Sequence, residues 1–113
     1  MTYIIIIPIF NEENNIKSLI DEIRNSFLIT DNNCINILLI NDGSTDNSKE
    51  LIEKYSKNIN KIILLNHFKN SGYGAALKTG IERTKNIAKY VVFADSDLTN
   101  PLNDIKKISK NYC

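Results

Sequence analysis

Four short polar clusters carry the residue types that could handle a phosphorylated ligand. Asp95-Ser96-Asp97 sets two carboxylates at i and i+2. Both can turn toward one hard divalent cation, and such a cation neutralises a diphosphate as it leaves. An Asp-x-Asp alone is a weak signal; its place directly after an apolar run strengthens it. Asp42-Gly43-Ser44 reads first as a turn plus helix cap, with Gly43 at positive φ and Ser44 or Asp46 as cap. The Asp42 carboxylate could also face a planar base and accept from uracil N3 or the guanine edge, with Asn41 alternating to the other face. Asn70-Ser71-Gly72-Tyr73-Gly74 is glycine-rich and leads into a helix, so its backbone N–H groups could approach a phosphate. It matches neither G-x-G-x-x-G nor the P-loop pattern. The competing reading, of equal weight, is a capping loop with close helix–sheet packing through Ala75 and Ala76. Lys78 and Arg83 could add positive charge. In Pro8-Ile9-Phe10-Asn11-Glu12, a rigid strand exit could bring Glu12 to a ribose hydroxyl. His67 is the single histidine and reads as structural. No Ser-His-Asp or Cys-His set can be assembled around it.

These clusters need a frame that brings them together. Tyr3 to Ile9 is apolar and β-branched, so a buried strand is predicted. Glu13 to Leu28 carries Ile16, Leu19, Ile20, Ile23 and Phe27, one stripe on a helix. A second strand covers Ile35 to Ile40. A second helix, with Leu51, Ile52 and Tyr55 on one face, follows the cap types Ser44-Thr45-Asp46. A third strand lies within Lys61 to Asn66, a third helix spans Gly72 to Lys85, and a fourth strand spans Tyr90 to Ala94. Pro101 suits the first position of a last helix, Leu102 to Asn111. The order βαβαβαβα, with strands that do not alternate, predicts an α/β fold: an open, mostly parallel, doubly wound sheet. Each polar cluster follows a strand. All four should therefore meet at the carboxyl edge, where open α/β sheets bind ligands.

The chain has 113 residues, 42% hydrophobic and 24% charged, which suits one soluble domain. Fourteen basic residues against thirteen acidic give a net charge of +1 with no basic block, so nucleic acid is not an expected partner. Cys34 and Cys113 cannot build a disulfide scaffold or a four-ligand zinc site, and read as plain thiols. The longest mainly apolar run, Ile4 to Phe10, is too short for a membrane span, and no signal peptide is evident. The expected location is cytoplasmic, or peripheral at the inner face of a membrane.

The segments IIIIPIFNEENNI, LLINDGSTDNS, NSGYGAALKTGI and YVVFADSDLTNPLNDI occur in this order over nearly the whole chain. Together they resemble the nucleotide-binding half of family 2 glycosyltransferases, which have the GT-A fold. The last segment is similar to the D-x-D-L-x-x-P run of polyprenyl- and dolichol-phosphate sugar transferases, although Thr99 and Asn100 stand where that branch often has Gln-His. The resemblance implies that Asp42 binds the base and that Pro8, Phe10 and Glu12 wrap the nucleoside. Asn70 and Gly72 would face the nucleotide, and Asp95 and Asp97 would bind metal and diphosphate. Asn41 replaces the first residue of the family's usual Asp-Asp-Gly-Ser. The implied activity is inverting transfer from a UDP- or GDP-linked sugar to a lipid-phosphate or glycan acceptor, with Mn2+ or Mg2+. A whole catalytic domain of this kind takes roughly 200 residues. Residues 1–113 are therefore expected to form an incomplete domain that holds the donor half, with the general base beyond residue 113. The alternatives are a non-catalytic remnant that binds nucleotide, and a flavodoxin- or receiver-like binding module. A nucleotidyltransferase fits less well, because Asn11-Glu12-Glu13 stands where that class has a Gly-rich, Arg/Lys-bearing loop.

Overall fold

Four runs of Ile, Leu and Val form the strands of one parallel sheet in the computed structural model, which describes residues 3–25 and 34–96. They are β1 (Tyr3–Ile9), β2 (Ile35–Asp42), β3 (Ile62–His67) and β4 (Tyr90–Phe93). Helices α1 (Ile16–Asn25), α2 (Ser48–Tyr55) and α3 (Tyr73–Thr84) alternate with them. The strand order is β3-β2-β1-β4, all pairs parallel. This is the predicted doubly wound arrangement. The last predicted helix, Leu102 to Asn111, lies outside the described residues, as do Asp97, Phe27 and Cys113.

Alternate residues of each strand point to opposite faces, and each face has its own core. On one face Ile5, Ile7 and Ile9 of β1 and Ile37 and Leu39 of β2 pack against Ile16, Leu19, Ile20 and Ile23 of α1 and Ile52 of α2. On the other, Ile4, Ile6, Leu38 and Ile40 pack against Ala76 of α3. Most of these isoleucines are fully buried, each contributing roughly 1.5–3 kcal/mol by removal from water. Helix α3 approaches the sheet through small residues four apart: Ala76, Gly80 and Thr84 are its buried positions. A Cβ on Gly80 would lie 2.7 Å from Cδ1 and 2.9 Å from Cγ2 of Ile6, a side chain with no exposed surface. Gly80→Ala is therefore expected to lower stability by about 1–2 kcal/mol in urea unfolding, overpacking outweighing the better helix propensity of alanine. Wild-type stability would show that α3 sits farther from β1.

The structure corrects several boundaries. α1 starts at Ile16 and not at Glu13, because residues 13–15 form a turn closed by Asn15 N–H donating to the Glu12 carbonyl at 2.8 Å. The position before α2 is Asn47, with no side-chain capping bond; of the two expected caps Ser44 bonds elsewhere, whereas Asp46 Oδ1 accepts from the N–H of Ser48, the first helical residue, at 2.9 Å. β2 runs to Asp42, pairing Asn41 with Asn66 and Asp42 with His67. Cys34 is disulfide-bonded, contrary to the thiol reading. Among the described residues no helix is long and apolar enough to cross a membrane.

Candidate functional site

The parallel sheet delivers every strand exit to one edge. β1 is followed in sequence by α1 on one face, while its other neighbour β4 is reached through α3 on the opposite face. The crevice between β1 and β4 is thus a topological switch point, the place where open α/β sheets leave room for a ligand. A cleft of about 650 Å³ opens there, within the range of small-molecule sites. Pro8, Phe10 and Glu12 line it from the β1 exit, Asp42 from β2, Asn70 and Gly72 from the loop before α3, and Asp95 from the β4 exit. These seven are the residues expected to face a nucleotide. Tyr73 and Ser96, from two of the polar clusters, also line the cleft, as does Asn15, which belongs to none of them. Asp97 lies outside the described residues. Arg83 is far from the cleft: with Ile4, Asn36 and Ile87 it lines a hollow at the opposite end of the sheet.

Asp42 is the most constrained group of the site. It is 3% exposed, and its carboxylate accepts four hydrogen bonds. Oδ1 accepts from Ser71 N–H at 2.9 Å and from His67 Nδ1 at 2.7 Å. Oδ2 accepts from Gly72 N–H at 2.9 Å and from Asn70 Nδ2 at 3.2 Å. Burial pushes the Asp42 carboxyl up, but the His67 ring and the Ser71 and Gly72 N–H groups outweigh it and hold it below its ordinary 3.8. This arrangement bears on two expectations. The anion held by the Ser71 and Gly72 N–H groups is the Asp42 carboxylate, so these two donors are not directed at a phosphate. The carboxylate also has a donor on each of its lone-pair positions. A base N–H reaches it only by displacing one, and the Asn70 amide, with the longest bond and an exposed side chain, is the weakest holder.

His67 is more than a strand-end residue. Besides Asp42, it meets Thr79 Oγ1 with Nε2 at 2.7 Å. The lone histidine gave no sequence signal, because its proximity to Asp42 follows from β2–β3 register. Asn41 faces away from Asp42, as expected, and accepts from Ser44 Oγ at 2.6 Å while donating to Asn66 Oδ1 at 2.9 Å.

The loops after β1 and β2 cap each other. Asn11, at φ 50°, accepts with Oδ1 from Thr45 N–H at 2.8 Å, and its own N–H donates to Ser44 Oγ at 3.0 Å. Glu12 N–H donates to Ser48 Oγ at 2.9 Å and Glu13 N–H to Asp46 Oδ2 at 3.2 Å. Asn47 N–H returns a bond to Glu13 Oε2 at 3.1 Å. Burial raises the Asp46 carboxyl, but bonds from Ser48 and Glu13 lower it further. This stitching fixes the β1 exit that carries Phe10 and Glu12. No single segment announces it, since each of these polar residues also suits a turn or cap within its own loop.

Three carboxylates, Glu12, Asp42 and Asp95, line the cleft, and no Lys or Arg is among its described lining residues. Glu12 is partly engaged, accepting from Asn15 Nδ2 at 2.7 Å. An anionic ligand would meet repulsion here unless a cation came with it. The described residues contain no group of three His, Cys, Asp or Glu suited to hold a metal on their own. One exposed carboxylate, Asp95, fits a divalent ion that takes its remaining ligands from phosphate oxygens and water, which is how Mg2+ commonly binds.

The sequence model for Glycosyl transferase family 2 matches residues 4–112. The minor teichoic acid biosynthesis protein GgaA of Bacillus subtilis is 31% identical over 109 residues, covering 96% of this chain and 24% of that protein. The dolichyl-phosphate beta-glucosyltransferase ALG5D of Trichomonas vaginalis is 32% identical over 115 residues, covering 94% and 35%. Among solved structures, S. aureus TarS 1-349 in complex with UDP-GlcNAc superposes with a TM-score of 0.76 at 24% identity, covering 99% of this chain and 32% of that one. The mannosyltransferase PcManGT from Pyrobaculum calidifontis, in complex with GDP-Man and Mn2+, gives 0.69 at 20% identity, covering 90% and 29%. The chain therefore spans about a quarter to a third of the length of these proteins.

Proposed function

The chain belongs to glycosyl transferase family 2, and on that premise we propose that its cleft binds the donor of a sugar transfer, a UDP- or GDP-linked sugar together with Mn2+ or Mg2+. One observation carries the reading: residues from all four strand exits converge on a single cleft at the switch point of the sheet. Support for the ligand class comes from the UDP-GlcNAc complex of TarS and the GDP-Man and Mn2+ complex of PcManGT. The acceptor we propose is a polyprenyl phosphate or a glycan, supported by the likeness to the dolichyl-phosphate beta-glucosyltransferase ALG5D.

In this reading Pro8 and Phe10 give the nucleoside an apolar wall, and Glu12 accepts from a ribose hydroxyl. Asn70 and Asp42 meet the base edge, the amide of Asn70 yielding its place on Oδ2 to a base N–H. Asp95, with Asp97, would hold the divalent cation, which when bound supplies charge neutralisation of the leaving diphosphate. An acceptor oxygen attacks the anomeric carbon as the bond to the diphosphate breaks, with inversion. The acceptor proton, where there is one, goes to a general base.

Calorimetric titration with UDP and with GDP, each with and without Mn2+, tests this. Binding is expected to require the metal, and Asp95→Ala, at an exposed position, should weaken it by roughly tenfold or more while leaving the fold intact. Binding indifferent to both metal and Asp95 would overturn the donor reading. A second reading, nucleotide binding without transfer, predicts the same titration but no product from a supplied sugar nucleotide and acceptor.

A further inference from the structure

We infer that His67 is a positioning residue of the donor site: clamped between Asp42 and Thr79, it fixes the carboxylate that holds the Asn70–Gly72 wall of the cleft. The inference rests on the donor reading above and assigns a role to a residue outside the cleft lining.

The chemistry follows from the contacts. An ionised carboxylate can only accept, so the ring nitrogen 2.7 Å from Asp42 Oδ1, Nδ1, carries a proton and donates. In the neutral ring Nε2 is then an acceptor, and Thr79 Oγ1–H donates to it at 2.7 Å. The ring is therefore held at both ends. His67 and Asp42 are opposite each other in the last rung of β2–β3, with side chains 16% and 4% exposed. Without His67 the carboxylate keeps its three donors from the loop but loses the one fixed to the sheet. It can then turn about its own Cβ–Cγ bond, and the bonds to Ser71 and Gly72 turn with it.

The connections close a ring. The loop of Asn70, Ser71 and Gly72 enters α3, and Thr79 of that same helix reaches back through His67 and Asp42 to the loop. The wall of the cleft is thus braced by the helix it leads into, through a histidine that never touches the ligand.

Substitutions can separate positioning from mere filling of space. Asparagine at 67 keeps an N–H donor at the position of Nδ1. Glutamine moves its amide to the position of Nε2, within reach of Thr79 but not of Asp42. Leucine keeps bulk and neither bond. UDP and GDP affinity with Mn2+, amide hydrogen exchange at Ser71 and Gly72, and thermal unfolding would be measured for wild type, His67→Asn, His67→Gln and His67→Leu. The Gln and Leu variants are expected to lose about tenfold in affinity and to exchange faster at Ser71 and Gly72, whereas Asn stays within about threefold of wild type in both. A Gln variant equal to wild type, or an Asn variant as poor as Leu at similar thermal stability, would overturn the inference. If wild type binds neither nucleotide, the donor reading falls. Exchange at Ser71 and Gly72 in the same four proteins then still decides whether His67 holds the carboxylate.

Discussion

Asp42→Ala is expected to eliminate measurable nucleotide binding and to lower stability by roughly 2–4 kcal/mol. The substitution removes one buried anion but strands four donors: two backbone N–H groups, an imidazole N–H and an amide. Ser71 and Gly72 lose the acceptor that folds their loop against β2, so the cleft loses its Asn70 wall as well as its floor. A domain of this size has a total stability of about 5–15 kcal/mol, so the variant remains partly folded and both effects can be read. Asp42→Asn is nearly as damaging, because it turns an NH2 group toward donors that need an acceptor. Urea unfolding and calorimetric titration on the same samples check both parts. Wild-type affinity in Asp42→Ala would mean that the loop holds its shape unaided.

The same residue gives the protein an acid signature. The folded pKa of Asp42 lies below the ordinary 3.8. As pH falls, the unfolded chain takes up the proton first. The contribution of Asp42 is thus fully present above about pH 3.8 and is lost as pH falls through the lowered folded value. The part of the stability gap between wild type and Asp42→Asn that comes from the Asp42 charge should shrink in that acid window.

How far the sequence reveals this site depends on the range of the interaction. The apolar runs Ile4–Ile7 and Leu38–Ile40 announce buried parallel strands, and the stripe of Ile16, Leu19, Ile20 and Ile23 announces a helix, because each pattern is local. Gly43 at positive φ is legible for the same reason. Once the strands are parallel, the polar clusters after them must share an edge, which is why the seven expected residues border one cleft. What stays hidden is partner choice across that edge. His67 meets Asp42 only because β2 and β3 pair in one register, and nothing in either segment alone states it. Ser44 looks like a cap for its own helix but bonds to Asn11 and Asn41, residues 33 and three positions away. The saturation of Asp42 is hidden for the same reason, since three of its four donors come from a segment 28 to 30 residues distant. A strand-end acid therefore reads as a free acceptor when it is already a structural hub.

Gly43→Ala is expected to be the most damaging single-methyl change, costing roughly 3–5 kcal/mol. Gly43 has φ +67°, and a Cβ there would lie 2.2 Å from both Asn70 N and the Lys69 carbonyl carbon, and 2.7 Å from Lys69 Cα. Every atom it meets is backbone, so no rotamer change can relieve the clash. Either the turn after β2 or the loop before α3 must move, and both are tied to Asp42. Gly72→Ala separates the two causes. Gly72 also has positive φ, +100°, but nothing lies within 4 Å of its added Cβ, so only the dihedral strain remains, about 1–2 kcal/mol. Unfolding curves for the two variants should differ by more than that strain, with Gly43→Ala also losing nucleotide affinity at temperatures where it is still folded. Equal costs would mean that the Asp42–Gly43 turn and the Lys69–Asn70 loop are not in backbone contact. The carboxylate would then hold the loop across a gap, and the cleft wall would owe its position to hydrogen bonds alone.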